Sequence, residues 1–183
     1  GVFTVSCAGG NVTTCLLPIA RAPFQGSALT VTISGLQGGH SGTEIHKGRA
    51  NSNMLMGRLL QAMAGATELR VVEVNGGLKD NAIPIKTTAQ VLVADAAAAK
   101  AAAQEMGACF AAEYRVTDPN VAVTVEDNGM GIAPEVIEKI NRGEQMNEKT
   151  HVGIVNVKER IQLNFGGNYG MNIESAQWKG TKI

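Results

Sequence analysis

The sequence has few of the residues that would place it in a specialised class. Its three cysteines, Cys7, Cys15 and Cys109, form no C-x-x-C pair, which predicts free thiols rather than a disulfide framework. Lys and Arg total 16, as do Asp and Glu, so no basic field would attract nucleic acid or anionic lipid. No apolar run approaches the roughly 20 residues that cross a bilayer. We therefore expect a cytoplasmic protein with no nucleic acid or membrane partner.

The length of 183 residues permits one domain of ordinary size or two small ones. The chain begins at Gly1 without an initiator Met, and Val2 to Val5 already alternate as in a strand. These features predict an excised fragment.

The first two thirds of the chain alternate between strand and helix patterns. The predicted strands are residues 28–34, 68–74, 87–93 and 120–125. One amphipathic helix is predicted from Arg49 to about Gly65, and an alanine-rich helix follows the predicted N-cap Asp95. The order β-α-β-β-α-β predicts a ferredoxin-like α+β fold, with two helices on one face of an antiparallel sheet.

The last third predicts an α/β extension of this fold. Pro134 opens a short helix, and the polar residues 141–150 predict a mobile loop. Val157, Ile161 and Phe165 recur at helical spacing, and Gly166-Gly167 ends that helix. Two short strands, joined at residues 177–180, close the sequence.

His40 lies in the glycine-rich stretch GLQGGHSGTEIHKGRANSN, residues 35–53. A loop imidazole can bind a substrate or a metal, but residue type alone favours a structural or incidental histidine. His46 lies six residues away, and no carboxylate pair completes a zinc site, which needs about three protein ligands. The segment therefore predicts no metal centre.

Three stretches together resemble the lid domain of the cytosolic Xaa-His dipeptidases, or aminoacyl-histidine dipeptidases, which are zinc peptidases. They are SCAGGNVTTCLLPIA, GLQGGHSGTEIHKGRANSNMLMGRLL and GGLKDNAIP, and the resemblance covers residues 1–126. In that family, a catalytic domain holds a pair of zinc ions and the lid closes over the dipeptide. The resemblance implies that His40 stabilises the tetrahedral oxyanion and that Asn81 faces the substrate.

The same resemblance implies what the chain lacks. The zinc-binding His-x-Asp segment, the paired glutamates and the distal histidine of the catalytic domain have no counterpart in this sequence. We therefore expect no bound cofactor and no dipeptidase activity, with dipeptide binding only beside a zinc domain. Related peptidase domains self-associate, so the resemblance also implies a homodimer.

The stretch DNGMGI, residues 127–132, follows a predicted strand, and taken alone it predicts only a glycine-rich turn. Together with HVGIVNVKERIQLNFGGNYGMNIESAQWKGTKI, it resembles the end of the ATP-binding domain of sensor histidine kinases. This resemblance implies that Asp127 accepts from adenine, that Gly129 and Gly131 fit around the base, and that Gly153 lies beside the phosphates of Mg-ATP.

The kinase resemblance covers residues 122–183 and is incomplete. Residues 141–150 match the ATP lid, but the upstream segment that supplies Glu and Asn to magnesium and water is absent, as is a phospho-accepting helix. His151 replaces the glycine that usually opens the second glycine box. We therefore expect no kinase activity and, at most, weak ATP binding.

The two resemblances meet within VAVTVEDNG, which predicts a chimera divided into residues 1–126 and 127–183. A shared strand would preserve the alternation of buried residues across such a join. An engineered splice, natural recombination, a sequence-assembly error and a natural lid with a divergent second half all remain open. Three functions also remain open: a non-catalytic fragment, an enzyme fragment that needs a separate zinc domain, and a weak ATP-binding module.

Overall fold

The computed structural model describes residues 1–3, 9, 11–129, 131–142, 152–166, 170–176 and 180–183. Several predictions fall wholly or partly outside these residues, among them the strand at Val2 to Val5, most of the loop at residues 141–150, the helix end at Gly166-Gly167 and the turn between the last two strands. Within the described part of the chain, no helix is long and apolar enough to cross a membrane.

The chain forms eight strands and four α-helices within the described residues. The strands are β1 (Ser27–Ser34), β2 (Gly39–His40), β3 (Leu69–Gly76), β4 (Ala82–Ile83), β5 (Thr87–Val93), β6 (Ala122–Asp127), β7 (Glu174–Ala176) and β8 (Gly180–Lys182). The helices are α1 (Ser52–Ala66), α2 (Ala96–Glu113), α3 (Pro134–Arg142) and α4 (Val152–Phe165). A short 3-10 helix, Ile45–Lys47, precedes α1.

The main sheet has the strand order β3-β5-β1-β6-β8-β7, and every neighbouring pair is antiparallel. Its first four strands, with α1 and α2, confirm the predicted ferredoxin-like β-α-β-β-α-β core. The predicted antiparallel pairing of the second and third core strands is also confirmed, because β3 pairs with β5. The final hairpin then extends this sheet beyond β6.

Alternation along the strands decides which residues form the core. Leu29, Val31 and Ile33 of β1 are buried beneath the helices, whereas Thr30 and Thr32 lie on the other face and are half-buried. The core joins these residues to apolar side chains of α1, α2, β5 and β6. Both helices therefore cover one face of the sheet, as the sequence predicts.

Side-chain caps fix where the two core helices begin. The carboxylate of Asp95 accepts from the N–H groups of Ala97 and Ala98, which confirms the predicted cap of α2. Helix α1 begins at Ser52 rather than Arg49, since the side chain of Asn51 accepts from the N–H groups of Asn53 and Met54. The prediction of a start at Arg49 was wrong by three residues because it missed this cap.

The C-terminal elements form two smaller apolar clusters. Ile132, Ile140, Ile173 and Ile183 pack together beneath the final hairpin. On α4, Val157 and Ile161 pack against Ala108 of α2. The predicted amphipathic helix is confirmed, and its buried face attaches the C-terminal elements to the ferredoxin-like core.

Asp118 is fully buried and fixes the loops beside α1. One carboxylate oxygen accepts from the N–H of Gln37 at 2.8 Å, and the other accepts from the N–H of Ala50 at 2.8 Å. Gln37 follows β1, and Ala50 precedes α1, so one side chain holds both ends of the segment that contains His40. This carboxylate satisfies backbone donors that would otherwise be buried without partners.

We expect Asp118→Ala to lower the free energy of unfolding by about 3 kcal/mol, because it leaves the buried N–H of Ala50 and the partly buried N–H of Gln37 without their acceptor. Urea unfolding followed by circular dichroism measures this change. Asp80→Ala removes an exposed carboxylate and serves as the control, with an expected change within about 0.5 kcal/mol. Equal changes in the two variants would contradict this role of Asp118.

Candidate functional site

The two residues predicted to face a substrate are adjacent in the structure. Strand β2 pairs with β4, which places Gly39 opposite Ile83 and His40 opposite Ala82. The N–H of Ser41 donates to the carbonyl of Asn81 at 2.9 Å. His40 and Asn81 are both exposed and lie at the same end of this short pair of strands.

Local hydrogen bonds fix the orientation of the His40 ring. Its Nδ1 accepts from the N–H of Gly42 at 3.0 Å and from the N–H of Thr43 at 3.2 Å. An imidazole nitrogen that accepts has no proton, so the neutral ring holds its proton on Nε2. The loop therefore presents Nε2–H as a hydrogen-bond donor.

Glu44 and Arg49 hold the backbone of this loop, and the sequence analysis missed both. The carboxylate of Glu44 accepts from the N–H of His40 at 2.9 Å and lies 3.5 Å from the guanidinium of Arg49. Arg49 also donates to the carbonyl of Gly38. At Gly39, with φ +142°, a Cβ would lie 2.8 Å from Arg49 Nη1, so a side chain would disrupt this arrangement.

Glu44 remains charged well below neutral pH. The hydrogen bond from Lys47, together with the N–H of His40, lowers the pKa of Glu44 to about 2. The loop therefore keeps a fixed negative charge next to the backbone of His40.

A cleft of about 660 Å³ lies beside this pair of strands, between the first turn of α1 and the end of β3. Polar side chains of Arg49, Asn51 and Asp80 line it, together with the apolar Ile45 and Met54. A cleft that combines apolar walls with a few polar groups suits a small substrate.

Within the described part of the chain, no group of three or more His, Cys, Asp or Glu residues is arranged to hold a metal ion. His46 is exposed in the short 3-10 helix. Cys15 and Cys109 are free thiols, as predicted, while Cys7 lies outside the described residues. The described side chains therefore do not fit a zinc centre.

Asp127 lies at the end of β6, and its carboxylate has partners within the protein. One oxygen accepts from the N–H of Gly129 at 2.7 Å and from the N–H of Thr181 at 3.3 Å, and the other pairs with the ammonium of Lys100 on α2. Burial alone would raise the pKa of Asp127, but the hydrogen bonds from Lys100 and Gly129 outweigh it and hold the pKa below its ordinary value.

The glycines of the DNGMGI stretch also have local explanations. Gly131 has φ +72°, and a Cβ there would lie 2.0 Å from the carbonyl oxygen of Ala176 in β7. The hydroxyl of Ser175 accepts from the N–H of Ile132 at 2.7 Å and donates to the carbonyl of Gly180 at 2.9 Å. These contacts join the turn to the final hairpin.

Gly153 lies in the first turn of α4. The nucleotide roles of Asp127, Gly129, Gly131 and Gly153 stay predictions. In the described residues, the Asp127 carboxylate that was predicted to accept from adenine also accepts from Lys100. Sequence patterns could not indicate Lys100, since it lies within an alanine-rich helix far from the turn.

Several comparisons with known proteins match this chain to peptidases. Residues 31–118 match the family described as "Peptidase dimerisation domain". A segment of 96 residues is 41% identical to the "Cytosol non-specific dipeptidase" of Escherichia coli, covering 51% of this chain and 20% of that protein. The solved structure of the aminoacylhistidine dipeptidase from Vibrio alginolyticus is also similar, with a TM-score of 0.55 and 21% identity. This match covers 90% of this chain and 34% of the dipeptidase chain.

A second comparison concerns a shorter part of the chain. A segment of 64 residues is 42% identical to "Sensor histidine kinase YesM" of Bacillus subtilis. This match covers 34% of this chain and 10% of the kinase. The chain thus spans only a small part of either curated relative.

The fold and the matches together indicate what part of this chain is similar to. Residues 31–118 are similar to the peptidase dimerisation domain, and a 96-residue segment is similar to part of a dipeptidase. The mixed α+β fold with its antiparallel sheet is shared with the aminoacylhistidine dipeptidase.

We expect the contribution of Asp127 to stability to depend on pH. The folded-state pKa lies below the ordinary value of 3.8, so this carboxylate stabilises the fold above pH 3.8 and loses that effect as pH falls through the folded-state pKa. Urea unfolding of the wild type and Asp127→Asn over a pH series measures the difference, which should be largest near neutral pH.

The neighbouring exposed pair Glu126–Lys182 supplies the control. Glu126→Gln should change the free energy of unfolding little at any pH, because an exposed ion pair contributes little. A difference between the wild type and Asp127→Asn that is constant over pH, or that grows in acid, would contradict this assignment.

Proposed function

We propose that this chain is the subunit-joining lid of a dipeptidase related to the Xaa-His group, without hydrolytic activity of its own. The observation on which this rests is an exposed apolar sheet edge within the segment that matches the peptidase dimerisation domain. The relatives' names also support a cytoplasmic location and a dipeptide substrate.

Strand β3 provides the edge. Among the described residues, it pairs with β5 alone, and Val71 and Val74 lie opposite the buried residues Val91 and Ala89. Opposite residues in an antiparallel pair point to the same face, so both valines point towards the helix side. They nevertheless remain 52% and 46% exposed. An unpaired apolar edge favours pairing with a second copy, which supports a homodimer.

The His40 loop suits a lid over the substrate. Its Nε2–H donor is held by the backbone bonds of Gly42 and Thr43, so it needs little reorganisation to meet a developing oxyanion. Such a preorganised donor can contribute about 3 kcal/mol to transition-state stabilisation. Asn81 is close enough to contact the same substrate. Zinc and its ligands would come from a separate catalytic domain.

The second half, residues 127–183, fits a different origin. The 42% identity of a 64-residue segment of this chain to a sensor histidine kinase supports a chimera of a dipeptidase lid and part of a histidine kinase ATP-binding domain. In this chain, the kinase-like elements extend the sheet, and the Lys100–Asp127 ion pair holds the turn against α2. A nucleotide would have to share the Asp127 carboxylate with Lys100, Gly129 and Thr181, so we propose a structural role for this half rather than ATP binding.

We expect Val74→Lys to convert the homodimer to a monomer, because a charge on an edge strand opposes edge-to-edge pairing. Sedimentation equilibrium of the wild type and the variant measures the dissociation constant, which should rise at least about tenfold, equivalent to about 1.4 kcal/mol. Circular dichroism checks that the variant remains folded.

Val116→Lys is the matched control, since Val116 is 82% exposed outside the strands and helices. It should leave the dissociation constant unchanged. A wild-type chain that sediments as a monomer at every concentration, or a Val74→Lys dimer as tight as the wild type, would contradict dimerisation through β3.

We expect saturating Mg-ATP to leave the melting temperature of the purified chain unchanged. A ligand raises the melting temperature only if it binds the folded state, and the acceptor predicted for adenine is already paired with Lys100. Differential scanning calorimetry with Mg-ATP, and with magnesium alone as the control, measures this. A rise that requires ATP and disappears in Asp127→Asn would favour the nucleotide-binding alternative.

A further inference from the structure

Two Asn-Gly pairs occur in the chain, and they lie in different structural settings. Asn128-Gly129 follows β6 in an exposed turn, whereas Asn75-Gly76 ends strand β3. Such a pair is prone to deamidation, because the backbone nitrogen of the second residue attacks the side-chain carbonyl carbon of asparagine, and glycine has no Cβ to block the approach. The structure decides which pair reacts, since the attack needs a backbone that is free to bend.

The Asn128 pair lies outside the sheet. The β1–β6 ladder ends at Asp127, so no ladder bond holds Asn128. Its side chain is exposed and makes no hydrogen bond to any described residue. The N–H of Gly129 donates to the Asp127 side chain at 2.7 Å rather than to another strand. Freeing the attacking nitrogen therefore requires the loss of a surface hydrogen bond and leaves the strands intact.

The Asn75 pair is held by the sheet instead. Asn75 lies opposite Thr88 in the β3–β5 ladder, and its side chain donates to the carboxylate of Glu73. The extended backbone of a strand turns successive residues to opposite faces, which keeps the next nitrogen away from the asparagine side chain. At Gly76, a Cβ would lie 2.2 Å from the side-chain oxygen of Asn53, so this end of the strand has little space to rearrange.

Charge also favours reaction at Asn128. The attacking nitrogen loses its proton, so negative charge close to it opposes the attack. Beside Gly129, the carboxylate of Asp127 is offset by the ammonium of Lys100, with which it forms an ion pair. Beside Asn75, the carboxylate of Glu73 forms no ion pair with a described residue. Burial, hydrogen bonding and charge thus all distinguish the two pairs in the same direction.

We propose that Asn128 is a site of spontaneous deamidation in the folded chain. The Gly129 nitrogen forms a bond to Cγ of Asn128, the bond from Cγ to Nδ2 breaks, and ammonia leaves with the proton that the Gly129 nitrogen has lost. Water then adds to one of the two carbonyl carbons of the resulting succinimide ring and opens it. The products are aspartate and isoaspartate at position 128, and no oxidant or reductant is consumed.

The isoaspartate product alters the junction between β6 and the final hairpin. Its backbone runs through the side chain, which lengthens the turn by a methylene group. The turn packs closely on the hairpin, because a Cβ at Gly180 would lie 1.9 Å from the carbonyl oxygen of Asp127 and one at Gly131 would lie 2.0 Å from that of Ala176. A longer turn displaces these contacts and weakens the hydrogen bond from the N–H of Thr181 to Asp127.

Deamidation rates in the folded and the unfolded chain test the proposal without any variant. The wild type is incubated at mildly alkaline pH, with and without guanidinium chloride, and digested with trypsin at intervals. Mass spectrometry then measures deamidation of Asn128 in the peptide of residues 116–139 and of Asn75 in that of residues 71–79. We expect folding to slow Asn128 by less than about threefold and Asn75 by more than about tenfold, because only Asn75 must wait for a strand to open.

A matched pair of variants supplies the control. Asn128→Gln should abolish modification of the first peptide, because the longer side chain would have to close a larger ring. Asn75→Gln makes the same change at another exposed asparagine and should leave deamidation of Asn128 unchanged.

Amide hydrogen exchange tests the structural consequence. Exchange at Thr181 should be about tenfold faster, or more, in the isolated isoaspartate form than in the unmodified chain. Asn128→Asp adds the charge without the methylene group and should leave exchange at Thr181 close to that of the wild type.

Three results would overturn the proposal. Folding that slows Asn128 as much as Asn75 would show that the turn protects its asparagine. Faster modification of Asn75 than of Asn128 in the folded chain would place the reactive site on β3. Unchanged exchange at Thr181 in the isoaspartate form would show that the junction does not depend on the length of this turn.

Discussion

The fold depends on strand β6 being hydrogen-bonded on both edges. It pairs with β1 over six positions on one side and with β8 on the other. The peptidase-like core therefore continues into the C-terminal hairpin through one sheet rather than through a flexible linker. Because strand alternation buries Val125 on the helix side, the register of β6 is fixed by packing as well as by hydrogen bonds.

Electrostatic contacts reinforce the same junction. The Lys100–Asp127 pair joins α2 to the turn after β6, and Asp127 also accepts the N–H of Gly129 in the turn and the N–H of Thr181 in β8. The Asp127 carboxylate thus has hydrogen-bond partners on three elements of the chain itself.

Sequence patterns predicted the core because strand alternation and helix capping depend on residues that are close together in the chain. Period-two alternation identified the strands, and the acceptor Asp95 identified the start of α2. The candidate pair His40 and Asn81 came from a family resemblance, and the pairing of β2 with β4 brings them together. The contacts by which Glu44 and Arg49 hold the His40 loop were not predicted, because charged residues in a loop have no periodicity.

The sequence by itself determined the α+β class, the strand order of the ferredoxin-like core and the position of the His40 loop, since these follow from local alternation and capping. Only the tertiary structure decided the partners of the buried carboxylates. Asp118 bonds to backbone groups 81 and 68 residues away, and Lys100 meets Asp127 across 27 residues. Such contacts depend on how the helices and strands pack. Short-range sequence patterns do not show which distant groups this packing brings together.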